Sequence, residues 1–100
     1  MPIPLLLKES HFQCKERQVW LSVHAIKKLE AVLSEPNTAT FYDISIKNFS
    51  IGSIFQCLDG SWTASPKGFK PVPLISQSVM GFAHELYAAK YLEQMSTFNS

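Results

Sequence analysis

TFYDISIKNFSIGSIFQCLDGSWTAS, residues 40 to 65, decides the fold class. From Thr40 the chain alternates through Phe41, Tyr42, Asp43, Ile44, Ser45, Ile46 and Lys47. A strand sends successive side chains to opposite faces, so Tyr42, Ile44 and Ile46 share one face and polar residues mainly occupy the other. That is a half-buried strand. A turn around Asn48 leads to a second strand over about 51 to 58, with Gly52 placed for a bulge. Asp59-Gly60 then gives the strongest hairpin signal in the chain, because both central positions of a type I′ turn need a positive φ, which Asp and Gly tolerate. In the register of a two-residue turn, Cys57 faces Trp62 and Phe55 faces Ala64, which collects apolar side chains on one face.

The tripeptide Phe55-Gln56-Cys57 also occurs as Phe12-Gln13-Cys14. There a two-residue turn at Glu16-Arg17 pairs Cys14 with Val19 and Phe12 with Leu21, again with the apolar side chains together, although Glu-Arg is poor turn chemistry. A helix is expected next over 23–35. Ser22 caps it, Leu21 and Ile26 form a hydrophobic staple, and Ile26, Leu29, Val32 and Leu33 make the apolar stripe before Pro36-Asn37 ends it. A start near Gln18, absorbing Val19, Trp20 and Leu21, is the alternative. Pro2 and Pro4 disfavour a helix before this, so residues 1–10 read as an N-terminal arm or an edge strand.

Beyond the quoted stretch, Pro66, Gly68, Pro71 and Pro73 make residues 65–75 a connecting loop. Ser76 offers another cap, with Ile75 and Met80 in staple positions, for a second helix over 76–95. Each half then runs strand, turn, strand, helix, which fits either a diverged duplication or coincidence on a common plan. The expected fold is α+β: a single domain over residues 1–100, with an antiparallel sheet of four to five strands and two helices mainly on one face.

Composition narrows the function classes. Nine Lys and Arg against eight Asp and Glu leave a net charge of +1, so no global field attracts a polyanion. The apolar run Leu5 to Leu7 is far shorter than a membrane span, with no basic residues before it and no small-residue cleavage site after it, so a cytoplasmic protein with reduced thiols is expected and no membrane association. His11 and Cys14 are at most half of a zinc site, and adding Cys57 with His24 or His84 supplies no clustered second pair, so no metal or other cofactor is expected. His84-Glu85 lacks a second histidine four residues on, where Ala88 stands. The four glycines stand apart, which excludes a glycine-rich phosphate loop, and no carboxylate lies in an evident apolar site. No catalytic residues are assigned.

Two surfaces remain. On the expected last helix, Val79, Phe82, Leu86 and Ala89 mark one face, while Met80, His84, Tyr87, Tyr91 and Met95 mark another that a single small sheet leaves uncovered. Aromatic and Met side chains suit a self-association surface, and a homodimer is the default symmetry. The leading expectation is therefore a non-enzymatic interaction or assembly module, homo-oligomeric or bound to another protein. The alternative is a small nucleic-acid-binding protein, in which Trp62, Lys67, Phe69 and Lys70 interleave aromatic and basic groups beside a hairpin. Three short strands before a C-terminal helix resemble, at the level of fold only, small sheet-reading DNA-binding domains of the integrase-arm kind.

Overall fold

In the computed structural model, residues 11–22, 24, 38–68 and 73–98 are described. Their elements are β1 (Phe12–Trp20), β2 (Thr38–Ile46), β3 (Phe49–Gln56), β4 (Trp62–Pro66), β5 (Val79–Phe82) and a helix, α1 (Glu85–Phe98), with one 3-10 turn at Ile75–Gln77. The strands form one antiparallel sheet in the order β1-β2-β3-β4-β5. The α+β class holds, but the expected pair of helices is not matched, since one α-helix is found among the described residues. The helix expected over 23–35 lies, His24 apart, outside those residues, as does the arm over 1–10.

The central meander forms where alternation placed it. Lys47 and Asn48 take φ of 51° and 68°, closing a tight turn between the paired residues Ile46 and Phe49. Two successive residues with positive φ match the right-handed twist of the flanking strands, and Asn is among the few side chains that tolerate this. Further along, Ile44 pairs with Gly52 but Ser45 with Ser50, so Ile51 is the extra residue of a bulge, at the glycine expected to carry one. Gly52 has a φ of 143°, and a Cβ there would meet the Ser65 carbonyl oxygen at 2.6 Å and Leu92 Cδ2 at 2.9 Å. The close approach of β4 and α1 at this point therefore requires glycine.

Three expectations are corrected. First, Phe12 to Trp20 is one continuous strand paired along its length with β2, so Glu16 and Arg17 sit mid-strand opposite Tyr42 and Phe41 instead of forming a turn. Glu-Arg has no turn preference, and extension lets Arg17 reach Asp43 with two hydrogen bonds. Second, the β3–β4 hairpin pairs Gln56 with Trp62, Phe55 with Thr63 and Ile54 with Ala64, one residue off the expected register. Only Gly60 takes a positive φ, 91°, and its N–H donates to the Cys57 carbonyl, so Leu58, Asp59 and Gly60 form a three-residue loop in place of a two-residue turn. Phe55 and Ala64 consequently lie on opposite faces. Third, residues 79–82 are strand, not the start of a helix. Gly81 takes a φ of 96°, outside helical space, and the segment pairs with β4, which otherwise has no partner on that side among the described residues.

Both sheet faces bury apolar side chains. Under α1, Phe12, Ile44, Ile51, Ile54 and Ala64 pack with Ala88, Ala89 and Leu92. On the opposite face Ala39, Phe41, Phe55 and Cys57 form a second cluster with Leu21, in which the Phe41 and Phe55 rings lie 4.3 Å apart. The two Phe-Gln-Cys copies divide between these faces: Phe12 belongs to the first cluster, Phe55 and Cys57 to the second, and Cys14 is exposed. The first copy lies on an uninterrupted strand and the second ends at a hairpin, so the two do not share a strand-turn-strand unit.

Candidate functional site

The expected association surface does not form one stripe, because its residues belong to a strand, a cap and a helix. Met80 lies on β5 and is 41% exposed. His84 immediately precedes α1 and acts as its cap: its Nδ1 accepts the Leu86 N–H at 3.0 Å, and its carbonyl accepts the Tyr87 N–H at 3.1 Å. Tyr87, in the first turn, is 57% exposed, its ring meeting His84 edge-on. Tyr91 turns inward and packs on Phe82 of β5 with ring centroids 5.6 Å apart. Met95, half-buried, lies with Phe49, Ile51 and Pro66 around a separate hollow. Phe82, Tyr87, Lys90, Tyr91, Glu93 and Gln94 line a shallow hollow that joins β5 to the outer side of α1.

β5 is an edge strand with no strand on its outer side among the described residues. Its four residues, Val79, Met80, Gly81 and Phe82, carry no charge, and Val79 is 37% exposed. An open edge without charged or proline gatekeepers is one that another strand can join.

The residues considered for nucleic-acid contact are not brought together. Trp62 is half-buried beneath α1 beside Tyr42, with ring centroids 6.2 Å apart. Lys67 lines a cleft on the other face. Phe69 and Lys70 lie outside the described residues.

That cleft contains a hydrogen-bonded network of charged and hydroxyl side chains that no sequence motif marks. It measures about 270 Å³ and is walled by Lys15 and Arg17 of β1, Asp43 and Ser45 of β2, Ser50 and Ser53 of β3, and Lys67. Arg17 grips Asp43 with Nε to Oδ2 at 2.7 Å and Nη2 to Oδ1 at 2.8 Å. Ser53 locks the pair, its hydroxyl donating to Asp43 Oδ1 at 2.6 Å while accepting from Arg17 Nη2 at 3.2 Å. Across β3 and β4, Ser53 is paired with Ser65, which is fully buried and whose Oγ has no hydrogen-bond partner among the described residues. An unsatisfied buried hydroxyl costs about 1–3 kcal/mol, so its presence on this face needs a reason. The signal in the sequence was the polar half of each strand's alternation, which reads as solvated until the register aligns the strands.

Both cysteines are free, Cys14 exposed and Cys57 buried. Desolvation, reinforced by the Glu85, Asp43 and Glu16 carboxylates, pushes the Cys14 thiol up to about 11, so it stays protonated near neutrality. Cys57 is buried, with Sγ 3.2 Å from Thr63 Oγ1. Among the described residues no three His, Cys, Asp or Glu side chains converge to hold a metal ion, and no helix is long and apolar enough to cross a membrane.

Compared with protein-family models, curated proteins and solved structures, the chain matches none significantly.

Proposed function

We propose that the chain is a non-enzymatic assembly module that pairs with a second copy of itself through β5, flanked by the exposed start of α1. The observation that carries this reading is the edge Val79–Phe82, uncharged and without a further strand among the described residues, with Val79 and Met80 exposed. Antiparallel pairing of two β5 strands about a two-fold axis continues the sheet from one protomer into the other. Four residues supply few main-chain hydrogen bonds, so most of the affinity comes from removing Val79, Met80 and Tyr87 from water. The opposite edge supports the choice by contrast: β1 carries Lys15, Glu16 and Arg17 in succession, the kind of charge that keeps an edge from pairing.

Sedimentation velocity over a dilution series tests the proposal. A concentration-dependent dimer is expected, and Met80→Lys should convert it to monomer while leaving the far-ultraviolet circular dichroism unchanged. A protein that is monomeric at every attainable concentration, or a Met80→Lys variant that dimerises as the parent does, overturns the reading.

A further inference from the structure

We infer that the cleft between Lys15, Arg17 and Lys67 is a binding site for a phosphate-type dianion, either free phosphate or the head of a phosphate monoester. The inference does not depend on assembly through β5. Among the described residues, three cationic side chains and one carboxylate line the cleft, a local excess of two positive charges in a chain whose whole net charge is +1. A phosphoryl group carries about −1.5 to −2 at pH 7, which matches that local charge.

The side chains divide into a fixed part and a free part. Arg17 is committed to Asp43 and Ser53, which pins the guanidinium against the sheet and leaves it a positioned wall of the cleft. Lys15 and Lys67, both exposed, make no ion pair or hydrogen bond among the described residues, and each brings three donors on a flexible stem. Between them stand hydroxyls. Ser45 and Ser50 are cross-strand partners, half-buried, and their side chains hold no hydrogen bond among the described residues. Ser65, the cross-strand partner of Ser53, is fully buried and does not line the cleft. The free hydroxyl and ammonium donors that do line it, on Ser45, Ser50, Lys15 and Lys67, are what an oxyanion with several lone pairs accepts. The volume, about 270 Å³, suits a phosphate or a small monoester and is below the usual range for a larger organic ligand.

The test is a titration of the isotopically labelled full chain, followed by amide chemical shifts, with inorganic phosphate, phenyl phosphate and acetate at constant ionic strength. Saturable shifts centred on Lys15, Ser45, Ser50, Ser53 and Lys67 are expected with both phosphates, and not with acetate. Phenyl phosphate binding the tighter of the two assigns the site to monoesters, and the reverse order assigns it to the free ion; either result upholds the site. Lys15→Glu and Lys67→Glu should each weaken binding by about tenfold or more, while Lys90→Glu, on the helix, leaves it unchanged. Unsaturable shifts, shifts spread evenly over all surface lysines, acetate binding as tightly as phosphate, or charge-reversed variants that bind like the parent overturn the inference. Both lysines are exposed, so the variants retain the fold, and an unchanged melting temperature for each verifies that a lost titration is a lost site.

Discussion

On the sheet face beneath α1, Ile44, Ile54, Ala64 and Leu92 are fully buried, and apolar packing runs from Phe12 on β1 across to Phe82 on β5. On the opposite face, the same strands split. Towards one end Phe41 and Phe55 pack with tilted rings in a second core, and towards the other Asp43, Ser53 and Arg17 close a hydrogen-bonded polar network. Each strand supplies both faces by alternation, so the difference lies in which side chains fill the odd and even positions, not in the backbone. Beneath the helix the first face is packed with apolar side chains, whereas the second sets beside its apolar cluster a group of polar side chains that cost stability unless satisfied.

The largest effect expected is in the two cores. Phe41→Ala should destabilise by about 3–5 kcal/mol and Leu92→Ala by about 2–5 kcal/mol in denaturant unfolding, since both side chains are fully buried. A cost below about 1 kcal/mol for Phe41→Ala would reduce the second cluster to surface and break the comparison. Next comes the polar half: Asp43→Ala strands Arg17 and Ser53 and should cost about 1–3 kcal/mol, towards the low end because both charged partners are partly exposed. Lys15→Ala beside it should stay within about 0.5 kcal/mol of the parent, separating the structural pair from the free cation.

The smallest effect is in alkali. Cys14 and Tyr42 both lie on the helix face, and desolvation raises the pKa of each in the folded chain. Above the thiol's ordinary value of 9.0 the unfolded chain releases a proton that the folded chain keeps up to about 11, so stability is full below pH 9 and falls as pH rises across that window, with Tyr42 adding in the same direction. Thermal melts between pH 8 and 11 measure this, and Cys14→Ser should flatten the earlier part of the fall. A melting temperature that is level through that range would show that folding does not hinder ionisation of the Cys14 thiol.

What could be read from the sequence was what local pattern determines. The alternation of β2, the turn at Asn48, the strand after it and the bulge at Gly52 all follow from side-chain period and backbone freedom. What could not be read depended on partners distant in sequence. Glu16-Arg17 looked like a break because nothing nearby says that Arg17 meets Asp43, 26 residues away. Val79 to Phe82 fits a helical stripe equally well, and the deciding fact is that the outer side of β4 needs a partner. Asp59-Gly60 signalled a hairpin correctly, but one positive φ instead of two lengthened the loop and moved the register by one residue. The cleft was hidden for the same reason: Lys15, Asp43 and Ser53 belong to three strands and Lys67 to the connection after β4, and no local pattern brings them together.

The extra residue at Ile51 stands outside the ladder between β2 and β3, which runs on either side of it as Ser45 with Ser50 and Ile44 with Gly52. Excising that one position would let the ladder close without a bulge, keeping Ser53 beside Asp43 and Ile54 beneath the helix and losing only the buried Ile51 side chain. A deletion two positions later, at Ser53, has no slack to absorb it and would exchange the faces of everything that follows in the strand.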